Sequence, residues 1–160
     1  MFRFHPAGRN SAEMNAGSRS PRCVLVVEDD PDYAAFMEAT LQGLGYAVQV
    51  AYHAEQALSA MEVEPPDAIT LDVLMPRRSG LWFYRQMKSR LAWYDIPVVV
   101  VTGLPTHDPE WTDFIKSSLE VDHLRVPRAF LTKPVDRERL RIVLEELLSR
   151  QRPPLVDQSA

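Results

Sequence analysis

The sequence predicts an α/β domain, with a doubly wound, five-stranded parallel sheet and helices on both faces. Five short apolar runs alternate along the chain with five segments of helical periodicity. Helical crossovers between successive strands require parallel pairing, and the helices then cover both faces of the sheet. Charged residues follow three of the apolar runs. In a parallel sheet the carboxyl ends of the strands share one edge, and ligands bind there.

Composition and charge limit the possible functions. The 160 residues are 46% apolar, which predicts one folded domain, placed at residues 23–151. Residues 1–22 and 152–160 show no periodicity, so we expect them to be flexible tails. The first of these tails carries a charge of +3 and the remainder of the chain −7, which argues against binding to nucleic acid. No apolar stretch approaches the length of a membrane span, so we expect a cytoplasmic protein without a membrane partner.

The first strand–helix unit shows the pattern most clearly. An apolar strand over residues 23–28 leads to Asp30 and Pro31, which suit the N-cap and the first turn of a helix. Gly45 is expected to end this helix. The residues predicted to face the core lie on one helical face: Tyr33, Phe36, Met37, Leu41 and Leu44.

The other four units repeat this alternation. Strands are predicted over residues 46–51, 68–72, 96–102 and 128–133, and helices over 53–62, 80–91, from 108 onward and 136–151. The fourth strand is an unbroken β-branched run, typical of a central strand that is buried on both faces. Predicted core residues of the last three helices are Phe83, Met87 and Leu91, then Trp111, Phe114, Ile115 and Leu119, then Leu140, Val143, Leu144 and Leu147. Among doubly wound folds we expect the flavodoxin-like strand order 2-1-3-4-5.

The charged residues at the strand ends predict a site. Glu28 and Asp29 end the first strand, Asp72 ends the third, and Lys133 follows the fifth. Clustered carboxylates are costly without a counter-ion, and carboxylate oxygens suit a hard divalent cation. A lysine beside them suits a phosphoryl group. Taken singly, these residues also fit a solvated acidic turn, a helix-turn cap and a surface lysine.

Four motifs, in chain order, resemble those of a known family. They are Val-Leu-Val-Val-Glu-Asp-Asp-Pro at 24–31, Leu-Asp-Val-Leu-Met-Pro at 71–76 with Ser79-Gly80, Val-Val-Thr-Gly at 100–103 and Phe-Leu-Thr-Lys-Pro at 130–134. Each lies at the end of its own predicted strand. Together they resemble the receiver domain of bacterial two-component response regulators, over residues 23–150.

The resemblance implies a phosphorylation-dependent signalling switch that catalyses its own aspartyl phosphorylation and dephosphorylation. Asp72 would accept a phosphoryl group from a histidine kinase or a small phosphodonor. Asp29 would bind Mg²⁺ directly and Glu28 through water. Asp72 and the backbone carbonyl of Leu74 would be further ligands of the ion.

Three more positions take roles from the same resemblance. Lys133 would contact the phosphoryl oxygens, and Thr102 would donate its hydroxyl to them. Phe130 matches an aromatic switch position, through which phosphorylation would change the surface of the fourth helix, fifth strand and fifth helix. An unidentified downstream protein would bind that surface. Taken singly, Thr102 also fits an ordinary strand residue and Phe130 an ordinary core residue. The resemblance also implies a cis bond between Lys133 and Pro134.

Two departures from the family pattern keep an alternative open. The segment over residues 104–128 is longer than the family usually shows, and Gly103 stands where the family mostly has alanine. The alternative is a degenerate receiver, used as a constitutive protein-interaction module without phosphoryl chemistry. The complete set of acidic, threonine and lysine positions favours the switch.

Overall fold

The computed structural model describes residues 3–5, 20–75, 79–105, 107–120 and 123–151. The strands are β1 Arg3–His5, β2 Cys23–Val27, β3 Ala47–Ala51, β4 Ala68–Leu71, β5 Val98–Thr102 and β6 Ala129–Thr132. The helices are α1 Pro31–Gly43, α2 Ala54–Val63, α3 Gly80–Lys88, α4 Pro109–Glu120 and α5 Arg137–Ser149, with a 3₁₀ turn at Leu91–Trp93. No helix within these ranges is long and apolar enough to cross a membrane.

The sheet has the predicted topology. Its strand order is β1-β3-β2-β4-β5-β6, and all pairings from β2 to β6 are parallel. Counted by themselves, the five parallel strands have the order 2-1-3-4-5, which confirms the predicted fold. Helices α1 and α5 lie on one face of the sheet, and α2, α3 and α4 lie on the other, so the domain is doubly wound.

Strand β1 is an addition to the predicted sheet. It pairs antiparallel with β3, from Arg3 opposite Val50 to His5 opposite Val48, and so covers the outer edge of the sheet. These residues belong to the segment 1–22, for which the sequence predicts only a flexible tail. Most of that segment, and the predicted tail at 152–160, lie outside the described residues.

Two separate cores explain the apolar runs. Val24 and Val26 of β2 face a core that contains α1 and α5. Leu25 and Val27 face a second core with α2, α3 and α4. Because both faces of the sheet are covered, every residue of β2 and β5 is buried, and an unbroken apolar run replaces the alternation of a half-exposed strand.

The predicted ends of α1 are confirmed. The Asp30 carboxylate accepts hydrogen bonds from the backbone N–H groups of Asp32 (2.9 Å) and Tyr33 (3.3 Å) and so caps the helix. After the helix, Gly45 adopts a φ of +93°, a conformation that other L-residues rarely adopt. The chain therefore leaves the helix at the predicted place and enters β3.

The predicted core face of the third helix is wrong at its last residue. Leu91 is 94% exposed, because α3 ends at Lys88 and a 3₁₀ turn follows. The buried ammonium of Lys88 donates to the carbonyls of Tyr94 (2.7 Å) and Ile96 (2.6 Å), which holds this turn. Trp93 then enters the core in the place predicted for Leu91.

Two other predicted core residues are exposed for a different reason. Phe36 of α1 is 44% exposed, and Phe114 of α4 is 61% exposed. In each helix the next residue, Met37 or Ile115, points into the core instead. Successive residues of a helix are about 100° apart, so only one of two adjacent apolar residues lies at the centre of the buried stripe.

Candidate functional site

The predicted site residues meet at the carboxyl edge of the sheet. Asp72 directly follows β4, Thr102 ends β5, and Lys133 directly follows β6. Backbone hydrogen bonds continue past the strands: the Asp72 N–H donates to the carbonyl of Val27 (3.0 Å), and the Lys133 N–H donates to that of Thr102 (2.8 Å). The sheet therefore fixes the backbone from which each functional side chain extends.

Lys133 lies between two buried carboxylates. Its Nζ is 2.6 Å from Oε2 of Glu28 and 3.0 Å from Oδ2 of Asp72. Glu28 is 3% exposed and Asp72 is 6% exposed, so water screens these ion pairs weakly. Asp29 is half-buried beside them, and with it three carboxylates share one ammonium within the described part of the site. This excess of negative charge favours a further cation.

Burial and the ion pairs shift the ionisation of two groups. Burial raises the pKa of the Glu28 carboxyl, and its hydrogen bonds from Lys133 and Asp30 oppose that rise without cancelling it. Burial disfavours the charged ammonium of Lys133, but the carboxylates of Glu28 and Asp72 outweigh this effect, and the pKa of Lys133 is raised. Lys133 is therefore a stable cation at neutral pH.

Three acidic side chains are close enough to hold one metal ion. One carboxylate oxygen from each of Glu28, Asp29 and Asp72 lies within 4.8 Å of the others. Two of the carboxylates are oriented by the backbone: Glu28 Oε1 accepts from the Asp30 N–H (3.2 Å) and Asp72 Oδ1 from the Leu74 N–H (3.0 Å). An all-oxygen donor set of this kind fits Mg²⁺, which keeps several waters. The Leu74 carbonyl remains a predicted ligand.

The two predicted switch residues adjoin the site but differ in exposure. Thr102 is fully buried, and its hydroxyl oxygen accepts a long hydrogen bond from the Leu104 N–H (3.4 Å). Phe130 is half-buried and packs edge-on against Trp111 of α4, with ring centroids 5.6 Å apart. This aromatic pair connects β6 with α4, and the role of Phe130 as a switch stays a prediction.

Tyr33 is a site residue that the sequence analysis did not identify. It is predicted as a core residue of α1, but its ring lies 4.4 Å from Nζ of Lys133. Its hydroxyl accepts a hydrogen bond from the Val135 N–H (3.0 Å). The Lys133–Pro134 peptide bond between these two contacts is cis, as the resemblance implies. The sequence feature that could have indicated this role is an aromatic residue in the first helical turn, directly after the acidic residues.

Gly80 packs against the backbone that carries Asp72. Its N–H donates to the carbonyl of Val73 (3.2 Å) at the start of α3. A Cβ at this position would lie 2.2 Å from the Asp72 carbonyl oxygen and 2.7 Å from Cα of Val73. Only glycine permits this approach, so Gly80 sets the distance between α3 and the loop after β4.

Comparisons with known proteins agree with this geometry. The model of the family described as the response regulator receiver domain matches residues 24–145. Protein Rrf1 of Nitratidesulfovibrio vulgaris is 34% identical over 82 residues, which are 51% of this chain and 59% of that protein. Response regulator MprA of Mycobacterium avium is 38% identical over 80 residues, which are 50% of this chain and 34% of that protein. The chain thus spans less than two thirds of the length of these relatives.

Solved structures are similar over almost their whole length. A putative response regulator from Chloroflexus aurantiacus gives a TM-score of 0.70 at 26% identity, covering 82% of this chain and 100% of that one. The signal receiver domain of a histidine kinase from Syntrophus aciditrophicus gives 0.69 at 28%, covering 87% and 99%. The receiver domain of a sensor histidine kinase from Pseudomonas aeruginosa, with a magnesium ion coordinated in its active site cleft, gives 0.68 at 24%, covering 81% and 99%. Because only 24% of the residues are identical in this last comparison, the similarity shows only that the fold is shared.

Proposed function

We propose that this chain, which belongs to the response regulator receiver domain family, is a phosphorylation-dependent signalling switch whose phosphoacceptor is Asp72. The observation that carries the proposal is the buried Asp72 carboxylate, held 3.0 Å from the ammonium of Lys133 beside two further acids. A structural ion pair needs one acid and one base. The additional carboxylates fit a metal ion, which would also offset the negative charge of an incoming phosphoryl group.

The chemistry required of Asp72 is nucleophilic attack on phosphorus. A carboxylate oxygen of Asp72 forms a new P–O bond, and the P–N bond to a phosphohistidine of the kinase, or the P–O bond of a small phosphodonor, breaks. The leaving group takes the electron pair. Such transfers depend mainly on positioning and on neutralisation of charge. The Leu74 N–H orients Asp72, and Lys133 supplies a positive charge to the phosphoryl oxygens.

The donor set also fits Mg²⁺ as the cofactor. Asp29 and Asp72 are suited to bind the ion directly, Glu28 through water, and the Leu74 carbonyl would complete the protein ligands. When bound, the ion would neutralise part of the charge that gathers between Asp72 and the phosphate.

The signal would leave through the α4–β6–α5 face, which consists of helices α4 and α5 and strand β6. The Thr102 hydroxyl oxygen accepts a long hydrogen bond from the Leu104 N–H, and a phosphoryl group on Asp72 would give its O–H an acceptor. Phe130 would then shift against Trp111. Phe114 on α4 and Ile142 on α5 are exposed apolar residues and support a partner-binding role for these helices. A histidine kinase and a downstream protein are the partners that this switch requires.

Intact-mass measurement tests the proposal. The full chain is incubated with Mg²⁺ and acetyl phosphate, and we expect a mass increase of one phosphate that disappears in Asp72→Asn or on chelation of the metal. Asp113→Asn, at an exposed position on α4, is the control and should be labelled like wild type. Equal labelling of Asp72→Asn and wild type would overturn the assignment of the acceptor. A wild-type chain that never gains phosphate would favour the degenerate, constitutive interaction module.

A further inference from the structure

Tyr33 contacts the chain on both sides of Pro134. In the first turn of α1, its ring lies 4.4 Å from Nζ of Lys133. Its hydroxyl accepts the Val135 N–H at 3.0 Å. One side chain of α1 thus holds both the charged end of the lysine and the backbone that follows it. Tyr33 thereby attaches the segment after β6 to α1, a helix that carries none of the three acids of the predicted metal site.

The orientation of Tyr33 is itself fixed. Its backbone N–H is capped by the Asp30 carboxylate at 3.3 Å, and its ring packs against that of Phe36, with centroids 5.4 Å apart. Burial raises the pKa of the Tyr33 hydroxyl, so the group stays protonated at neutral pH. The ring therefore presents a neutral, preorganised face to the ammonium of Lys133.

Phosphorylation changes the other partners of Lys133. In the present structure its ammonium is bound by Glu28 (2.6 Å) and Asp72 (3.0 Å). Once Asp72 carries a phosphoryl group, its carboxyl is an uncharged acyl phosphate, and the charged phosphoryl oxygens become the stronger partner of the ammonium. A cation–π contact has no single acceptor atom, because the ring attracts the ammonium over its whole face. The ring can therefore keep hold of the ammonium while its ionic partners change.

We propose that Tyr33 is a positioning residue for Lys133, with its ring holding the ammonium at the phosphoryl-binding position and its hydroxyl fixing the backbone at Val135. This inference rests on the proposed function, because the phosphoryl group is the ligand for which Lys133 is positioned. The two contacts have separate consequences. Loss of the ring should slow phosphoryl transfer, whereas loss of the hydroxyl alone should reduce thermal stability, since it removes the partner of the Val135 N–H.

Two substitutions separate the contacts. Tyr33→Leu removes ring and hydroxyl, and we expect the rate of labelling by acetyl phosphate to fall about 3- to 10-fold, the size of a partly buried cation–π contact. Tyr33→Phe keeps the ring, so its labelling rate should stay within about twofold of wild type while its melting temperature falls. Tyr52→Leu changes an exposed tyrosine just after β3 and is the matched control, expected to label like wild type.

A double-mutant cycle shows whether Tyr33 acts through Lys133. We compare wild type, Tyr33→Leu, Lys133→Met and the double variant, by labelling rate and by the affinity for beryllofluoride with Mg²⁺ in calorimetry. If Tyr33 positions Lys133, Tyr33→Leu has little further effect in the Lys133→Met background. An equal loss in both backgrounds, or a wild-type rate in Tyr33→Leu, overturns the inference. A wild-type chain that is not labelled at all overturns the proposed function instead, so the two failures are distinguishable.

Discussion

Gly80→Ala is the substitution that most directly tests how the fold positions Asp72. The added methyl carbon would lie 2.2 Å from the Asp72 carbonyl oxygen and 2.7 Å from Cα of Val73. Both contacts are with backbone atoms, so no side-chain rotation can relieve them. The loop after β4 therefore has to move away from α3, or the start of α3 has to unwind.

The size of the effect follows from these distances. An overpacked methyl group costs about 1–3 kcal/mol of stability, and contacts this close with backbone belong in the upper half of that range. Alanine returns at most about 1 kcal/mol through its better helix propensity, and less in the first turn. We therefore expect a net loss of about 1–3 kcal/mol. Relief of the contact needs a shift of about 1 Å near the phosphoacceptor, which can slow a positioned reaction by up to about 100-fold.

Urea denaturation and the rate of labelling by acetyl phosphate measure the two consequences. Gly103→Ala is the matched control, because a Cβ there would meet nothing within 4 Å. The control should keep wild-type stability within about 0.5 kcal/mol. If Gly80→Ala matched wild type in both measurements, the close approach of α3 to the Asp72 loop would not be what sets the geometry of the site.

Three further predictions concern phosphate lifetime, signal output and pH. Leu74 and Leu104 lie two residues after Asp72 and Thr102, and neither side chain can donate or accept a hydrogen bond that would orient an attacking water. The aspartyl phosphate should therefore decay slowly, and replacement of both leucines by glutamine should speed its decay; rapid decay unchanged by the replacement would contradict this. Hydrogen exchange with beryllofluoride present should change mainly over residues 102–135, whereas changes confined to the loops after β2 and β4 would indicate a phosphate sink rather than a switch. Burial lowers the pKa of Lys88 from 10.5 to about 8. Between these two pH values the unfolded chain binds a proton at this lysine that the folded chain does not. The stability of wild type relative to Lys88→Met should therefore rise with pH in this range. The difference should stay constant below about pH 8.

The topology was predictable because the signals for it are local. Each strand is an apolar run bounded by caps and turns, and parallel crossovers leave few possible orders. Burial within the helices was less predictable. The prediction for Leu91 failed because Lys88 ends α3 by binding the carbonyls of Tyr94 and Ile96, contacts that no helical periodicity shows. Strand β1 was also missed, because three residues that add to a sheet edge carry no periodic pattern.

The candidate site was predictable in its charged residues but not in its supporting contacts. Glu28, Asp72 and Lys133 stand at strand ends, and parallel strands bring those ends together whatever the loops do. Tyr33 lies on a helix, where an aromatic residue in the first turn usually indicates core packing. Its contact with Lys133 depends on the path of the chain after β6, which brings Lys133 and Val135 against α1. Such a path cannot be inferred from spacing.

The ion pairs of the resting site indicate where the effect of phosphorylation would be felt. The ammonium of Lys133 is held by two carboxylates, and its backbone N–H is bound to the carbonyl of Thr102 at 2.8 Å. A phosphoryl group on Asp72 would compete for the ammonium and offer the Thr102 hydroxyl a new acceptor, so it would act on both residues at once. Because their backbones are joined, neither can shift alone, and β5 and β6 would respond together. Phe130 lies in β6 and contacts Trp111 of α4, so the first surface to change should be that of α4.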